Sequence, residues 1–282
     1  MFMEDAVSVH GGSVLVRTIS TLESATIWDS GFFSRMFTTV KVEVRDCCQR
    51  PGKNCVVPDL PHDVVHVWTR PLQVPPPVEQ ACYELLSAEE RERAARYRVA
   101  RPRNEFILTR GTLRSLLASY LGTAPQALSF RCSEHGKPFL DGSFDLRFNV
   151  SHTDGLALIA FVRTREIGVD VEKITAAPDA AKLAERFFSV PERGSLENLS
   201  GDELHAAFFR CWTRKESYVK ARGEGLSLPL HQFDVSVAAD EPQALLITGP
   251  DACEAGRWIV RDLPTIPGYV AALAVAEDTL RK

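Results

Sequence analysis

The clearest strand in the sequence is Ile167-Gly168-Val169-Asp170-Val171-Glu172, in which aliphatic residues alternate with glycine or acids. A period of two predicts a β-strand with one buried face. Gly168, Asp170 and Glu172 are expected together on the opposite face, because successive strand side chains point to opposite sides. Two neighbouring carboxylates repel each other unless a cation joins them. The pair fits a Mg²⁺ site, or simply a solvated strand face, since an isolated D-x-E pattern is common.

Helices and strands alternate around this stretch in an order that predicts an α+β fold. Upstream, a capping box at Ser87 and Glu90 opens one helix, a second helix runs from Arg103 to Leu121, and strands follow. Downstream, a second capping box, Ser200 with Glu203, is expected to open a long helix, which strands again follow. The repeated order predicts a pseudo-twofold pair of similar α+β halves, each a helix packed on a small antiparallel sheet.

The expected domain boundaries follow from this order. Residues 1–62 contain no recognisable motif, and a poorly ordered extension or a misassigned start codon explains them as well as a functional segment does. Residues 63–163 would form the N-terminal half. Residues 164–282 would form the C-terminal half, which carries the acids.

Composition and charge restrict the class of protein. The net charge of −4 argues against a general polyanion binder, so no nucleic-acid partner is expected. Seven cysteines without a C-x-x-C pair argue against a disulfide framework or a zinc ribbon, and favour a reducing, cytoplasmic compartment. The sequence shows neither a membrane-spanning apolar run nor a signal-peptide pattern, so no membrane association is expected.

A third acid lies on the downstream helix. Glu216 occurs in Trp212-Thr213-Arg214-Lys215-Glu216-Ser217, and Lys220 follows it one helical turn later. The pair has two interpretations, an ordinary surface ion pair or a metal ligand with a phosphate-binding lysine beside it. The helix alone does not decide between them.

The order of the short motifs is more specific than any one of them. In chain order they are Gly136-Lys137-Pro138, Phe148-Asn149-Val150-Ser151-His152, Ile167 to Glu172, Arg186-Phe187-Phe188-Ser189-Val190-Pro191-Glu192, Trp212 to Ser217, and Gly225-Leu226-Ser227-Leu228-Pro229-Leu230. This series resembles the Sfp-type 4′-phosphopantetheinyl transferases, and the resemblance covers roughly Val64 to Val275.

The resemblance implies an activity and a set of metal ligands. Members of this family transfer the phosphopantetheine arm of coenzyme A to a serine of an apo carrier protein, acyl or peptidyl, and release adenosine 3′,5′-bisphosphate. The residues that match the family's Mg²⁺ ligands, for which Mn²⁺ is an alternative ion, are Asp170, Glu172 and Glu216. Glu216, or a water held by the acids, would be the base for the serine. Lys220 would protonate or stabilise the leaving phosphate oxygen.

The resemblance also implies residues that bind coenzyme A. Ser151 and His152 match a pair that contacts the 3′-phosphate and adenosine side, and Lys137 with Pro138 match a turn near the adenine. Glu192 matches an acid whose role in the family is partly structural.

One position departs from the family pattern. Glu105 stands near the place where some members have an arginine for the 3′-phosphate. Arg103, Arg110 or an arginine between positions 96 and 101 could replace it.

Two other functions are compatible with the same acids. One is a different Mg²⁺-dependent phosphoryl or phosphodiester enzyme, against which the G-K-P and S-H motifs argue. The other is a catalytically silent protein that binds coenzyme A or a carrier, against which the intact set of acids and lysine argues. By analogy with the family, the chain is expected to be a monomer with broad carrier tolerance.

Overall fold

The computed structural model describes residues 16–19, 40–47, 57–176, 179–239, 245–248 and 254–277. Its strands are β1 (Val16–Ile19), β2 (Lys41–Asp46), β3 (Val64–Pro71), β4 (Phe130–Cys132), β5 (Pro138–Leu140), β6 (Leu146–Thr153), β7 (Leu156–Arg163), β8 (Ile167–Lys173), β9 (Phe233–Val235), β10 (Leu245–Thr248), β11 (Trp258–Asp262) and β12 (Tyr269–Ala276). Its α-helices are α1 (Pro76–Glu84), α2 (Ala88–Ala95), α3 (Ala100–Leu121), α4 (Ala180–Phe187), α5 (Val190–Leu196) and α6 (Gly201–Arg222).

Two sheets and two long helices form the body of the protein. One sheet has the strand order β1-β2-β3-β7-β6, and the other has the order β11-β12-β8. Apolar residues of α3 pack with those of β3, β6 and β7, while α6 packs against β8, β11 and β12. The strand pairs are antiparallel except for β2 with β3. The predicted α+β fold, with a long helix on each small sheet, is confirmed.

Strand β2 belongs to the segment that the sequence assigns to an N-terminal extension. It pairs in parallel with β3, from Lys41 opposite Val64 to Asp46 opposite Thr69. Arg261 of β11 donates a hydrogen bond to the carbonyl oxygen of Val40, just before this strand. The five-stranded sheet therefore includes a strand upstream of residue 63, while most of residues 1–62 lie outside the described part of the chain.

Of the two capping boxes predicted from the sequence, the structure confirms one and not the other. The capping box of Ser87 and Glu90 is confirmed, with hydrogen bonds of 3.1 and 3.3 Å. The box expected at Ser200 is wrong, because its side chain makes no capping hydrogen bond. A capping box that the sequence reading missed joins Ser189 to Glu192 at the start of α5.

The long upstream helix begins three residues before the predicted start. Helix α3 starts at Ala100, and Pro102 lies in its first turn. A proline is tolerated there because the first N–H groups of a helix have no partner within the helix. Within the described residues, no helix is both long and apolar enough to cross a membrane.

Helix α6 approaches strand β8 so closely that only glycine fits between them. A Cβ atom at Gly168 would lie 2.0 Å from the carbonyl oxygen of Ser217 and 2.4 Å from the amide nitrogen of Ala221. The aliphatic face of β8 points the other way, into a core shared with both sheets. The predicted division of the strand into two faces is therefore confirmed, and the helix that carries Glu216 lies on the face that carries Asp170.

The Gly168→Ala substitution tests this contact. Because the added methyl group would overlap the main chain of α6, we expect a loss of about 1–3 kcal/mol in the free energy of unfolding. The control is Gly194→Ala in α5, where an added Cβ meets nothing within 4 Å, so about 0.4–1 kcal/mol of stabilisation is expected. Urea unfolding of both variants measures the difference. Equal effects would contradict the close contact.

Candidate active site

A row of polar side chains joins the two sheets along strands β6 and β8. Three residues of β6, spaced by two, accept hydrogen bonds from main-chain N–H groups of β8. The pairs are Asn149 with Val169 (2.9 Å), Ser151 with Val171 (3.4 Å) and Thr153 with Lys173 (3.4 Å). The separation is 20 residues in each pair, so the two strands run side by side in the same direction. We call this row of three side chains the seam.

Asp170 lies at the centre of a buried polar cluster. Its Oδ1 atom accepts hydrogen bonds from the Ser151 hydroxyl at 2.8 Å and from the Lys220 ammonium at 2.5 Å. Lys220 also donates to the Ser151 oxygen at 3.0 Å. The other carboxylate oxygen, Oδ2, is buried and makes no hydrogen bond with the described residues. A buried carboxylate oxygen without a donor is costly unless a cation or a water binds it.

The other two predicted acids share this electrostatic environment. Burial, followed by the charge of Asp170, raises the pKa of Glu216, and Lys220 opposes the shift. Burial, then Asp170, also raises the pKa of Glu172, with a smaller contribution from Glu216. The Thr153 hydroxyl donates to Glu172 Oε2 at 3.1 Å. The three carboxylates therefore carry more negative charge than the single lysine neutralises.

This environment suits a divalent cation with a preference for oxygen. Three carboxylates, one of which has a buried oxygen without a donor, are the type of ligand set that Mg²⁺ uses together with phosphates and water. The side chains do not form a closed ligand shell: within the described residues, no three His, Cys, Asp or Glu side chains are grouped tightly enough to hold a metal. A cation bound by all three acids would therefore require their carboxylates to converge.

A cavity of about 330 Å³ opens beside one of the three acids, Glu216. It is lined by Glu216 and Lys220 of α6 and by the predicted turn with Lys137 and Pro138. The Lys137 ammonium donates to the carbonyl oxygen of Ala221 and to Glu166, both at 2.9 Å. The turn is thereby held at the C-terminal end of α6, and residues of β5, β6 and α6 face one cavity.

The structure separates the predicted Ser151-His152 pair. Ser151 is buried, and its hydroxyl is engaged by Asp170, Lys220 and the main chain of Val171. His152, the next residue on the strand, is exposed. Of the two, only His152 presents its side chain to solvent.

The two predicted arginines differ in their contacts. Arg110 faces Glu90 at 3.3 Å and lies over the ring of Phe130, 4.8 Å from its centre. Burial lowers the pKa of Arg110. Arg103 is half-buried on the same helix. Neither arginine contacts the three acids in the part of the chain that the structure describes.

Glu192 is a structural acid in this fold. Its carboxylate accepts main-chain hydrogen bonds from Ser189 and Val235, both 2.8 Å long, and faces the Lys215 ammonium at 2.7 Å. Lys215 is fully buried and also donates to two carbonyl oxygens. The pair joins α5 to α6 and to the edge of β9. This supports the structural part of the role that the sequence suggested for Glu192.

Sequence comparisons relate the chain to a family of known enzymes. A family model described as the 4′-phosphopantetheinyl transferase superfamily matches residues 166–274, and one described as 4′-phosphopantetheinyl transferase, N-terminal, matches residues 76–163. The chain is 38% identical to 4′-phosphopantetheinyl transferase HetI of a Nostoc species, over 76% of this chain and 88% of the relative. It is 30% identical to 4′-phosphopantetheinyl transferase Sfp of Bacillus subtilis, over 68% and 82% of the two chains.

Removing one partner of the buried Glu192–Lys215 pair should destabilise the fold. Lys215→Met leaves the Glu192 carboxylate buried without its cation, so we expect a loss of about 3–5 kcal/mol. Lys182→Met breaks the exposed pair with Asp179 and should change stability by about 0–1 kcal/mol. Denaturant unfolding provides both values. A loss at Lys215 no larger than that at Lys182 would contradict the structural role.

The raised pKa of Glu216 predicts a pH-dependent difference in stability. A carboxyl group whose pKa is raised on folding favours the folded state at low pH, and this contribution disappears as the pH rises through the folded pKa. Without divalent cations, Glu216→Gln should therefore be more stable than the wild type at pH 7 to 8. The gain should vanish below the ordinary pKa of 4.5, where the wild-type group is also neutral.

Thermal unfolding from pH 4 to 8 in the presence of a chelator measures this difference. Glu185→Gln, on the exposed face of α4, is the matched control and should show no such gain. A Glu216→Gln variant that is less stable than the wild type at pH 8 would show that the acids do not repel one another.

Proposed function

Because the chain belongs to the 4′-phosphopantetheinyl transferase superfamily, we propose that it uses Mg²⁺ to transfer the phosphopantetheine group of coenzyme A to a carrier-protein serine. Adenosine 3′,5′-bisphosphate would be released. Enzymes of this family transfer phosphopantetheine to carrier proteins; the metal, the acceptor atom and the by-product are the proposed parts. The observation that carries the proposal is the cluster of three acids and Lys220 beside a cavity lined by both halves.

The proposed cation ligands are Asp170, Glu172 and Glu216. Asp170 offers a buried oxygen without a hydrogen bond, and the mutual repulsion of the three acids is relieved when a cation joins them. Bound there, the ion would neutralise charge on the phosphate oxygens of the donor. Mn²⁺ is the alternative ion.

Glu216 is the proposed base for the acceptor. The serine oxygen forms a bond to the β-phosphorus of coenzyme A while the bond to the bridging oxygen breaks. A serine hydroxyl is a poor nucleophile, so a carboxylate that accepts its proton assists the attack. The raised pKa of Glu216 brings this group closer to the pH at which an acid and a base act well.

Lys220 is the proposed partner of the leaving phosphate. An ammonium group has three N–H donors, and Asp170 and Ser151 accept two of them. The third can reach the oxygen on which charge develops as the pyrophosphate bond breaks. A donor that is already in place stabilises this charge without rearrangement.

The proposed site for coenzyme A lies along the seam and the cavity. Lys137 and Pro138 would contact the adenine side, and the exposed His152 would contact the 3′-phosphate. Ser151 would contact the nucleotide only by giving up one of its present hydrogen bonds. Arg103 or Arg110 would complete the phosphate contacts, and Arg103 is the better candidate because Glu90 engages Arg110.

The acceptor and the setting are also proposals. Fatty-acid, polyketide, peptide-synthetase and lysine-biosynthesis carriers remain alternatives, and the family analogy favours a monomer. Among the described cysteines, Cys211 is a buried thiol without a disulfide, which fits a reducing, cytoplasmic compartment. We also propose that residues 63–163 and 164–282 correspond to the two halves of the transferase.

Purified protein incubated with coenzyme A and Mg²⁺ should add the mass of one phosphopantetheine group to an apo carrier domain. Asp170→Ala and Glu216→Gln should lower the rate by about 10²- to 10³-fold, because each removes a group that acts on the charge in the transition state. Glu185→Gln is the control and should retain the wild-type rate. Intact-mass spectrometry of the carrier measures the transfer.

Two outcomes would contradict the proposal. An unchanged carrier mass across a panel of acyl, peptidyl and lysine-biosynthesis carriers would exclude the transferase activity. Full turnover in the presence of a strong chelator would support the transferase activity but contradict the proposed role of the cation.

A further inference from the structure

Thr153 connects the seam to Glu172, and neither the sequence nor the family comparison gives Thr153 a role. Its oxygen accepts the N–H of Lys173 at 3.4 Å, and its hydroxyl donates to Glu172 Oε2 at 3.1 Å. We propose that Thr153 is a positioning residue that holds the Glu172 carboxylate in the cation site. The inference rests on the proposed function, because it concerns one of the proposed metal ligands.

The direction of these two hydrogen bonds follows from the chemical groups. An ionised carboxylate only accepts, and a main-chain N–H only donates, so the Thr153 hydroxyl must accept from Lys173 and donate to Glu172. The main chain of β8 thus orients the hydroxyl, and the hydroxyl orients the acid. One hydroxyl satisfies both partners, which fixes its rotation about the C–O bond.

Ser151 repeats the same arrangement two residues earlier. Its oxygen accepts the N–H of Val171, and its hydroxyl donates to Asp170. In both cases, the acid immediately precedes the β8 residue that donates its N–H to the hydroxyl. The seam of the N-terminal half therefore reaches two acids of the C-terminal half through two hydroxyls with the same spacing.

Glu172 needs such a partner more than Asp170 does. Asp170 is almost fully buried and is held by Lys220, whereas Glu172 is half-buried and its side chain is one methylene group longer. It carries the same sign of charge as Asp170 and Glu216, which favours its rotation away from them. The Thr153 hydroxyl opposes that rotation. Groups that orient metal ligands in this way typically affect metal affinity by about 10- to 100-fold.

A simpler role for Thr153 would be to hold β6 against β8 through Lys173 alone. Asn149 does only this, because residue 168 at the corresponding position is a glycine. The two roles predict different measurements. A purely structural residue affects the free energy of unfolding, and a positioning residue also affects cation binding through Glu172.

The test compares Thr153→Val, which keeps the shape but loses the hydroxyl, with Thr153→Ser, which keeps the hydroxyl. Electron paramagnetic resonance measures the affinity of the full chain for Mn²⁺ in the presence of coenzyme A. We expect this affinity to be about 10-fold weaker in Thr153→Val. Thr153→Ser should bind like the wild type. Thr213→Val is the matched control, because the Thr213 hydroxyl donates to a main-chain carbonyl within α6. Thr153→Ala replaces the valine variant if that variant does not fold.

A double-mutant cycle with Glu172→Gln decides whether the effect passes through Glu172. Thr153→Val should cause no further loss of Mn²⁺ affinity in the Glu172→Gln background, although it should still lower stability there. Wild-type Mn²⁺ affinity in Thr153→Val, or a full additional loss on top of Glu172→Gln, would overturn the inference. A wild-type protein that binds no Mn²⁺ would instead contradict the proposed cation site itself.

Discussion

The contact between helix α6 and strand β8 at Gly168 is the constraint on which the site depends. The main chain of the helix occupies the space that any side chain at residue 168 would need. Glu216 and Lys220 are thereby brought over the strand face that carries Asp170 and Glu172. A larger residue at position 168 would separate the acids of the helix from those of the strand. The buried glycine therefore affects the site through the position of α6.

The three acids repel one another in a partly buried site, so the arrangement is unfavourable unless hydrogen bonds or positive charge compensate for the repulsion. Burial and mutual repulsion raise the pKa values of Glu172 and Glu216, and one lysine serves three acids. The seam supplies hydroxyls to two of these acids, and the remaining charge is available for a cation. The buried ion pair of Glu192 and Lys215 differs from this site, because Lys215 uses all three of its N–H donors within the protein, on Glu192 and on two carbonyl oxygens.

Features that depend on local sequence patterns could be predicted. Features that depend on contacts between distant segments could not. The two faces of residues 167–172 and the α+β order followed from periodicity. Ser189 and Ser200 have the same capping pattern, but φ is −68° at Ser189 and −146° at Ser200, and the sequence does not report that difference. The seam formed by Asn149, Ser151 and Thr153 of β6 was not predicted, because the partners of these residues lie 20 residues away. Strand β2 was missed for a similar reason, since it pairs in parallel with a strand beyond a segment without a recognisable pattern.

The position of a bound cation tests directly whether the three acids form one metal site. Crystals of the protein with coenzyme A and Mn²⁺, measured at the manganese absorption edge, would locate the ion by anomalous scattering. We expect one strong peak within coordination distance of oxygens from Asp170, Glu172 and Glu216. A peak away from these acids, or coenzyme A bound at full occupancy without any manganese beside them, would contradict the proposed metal site.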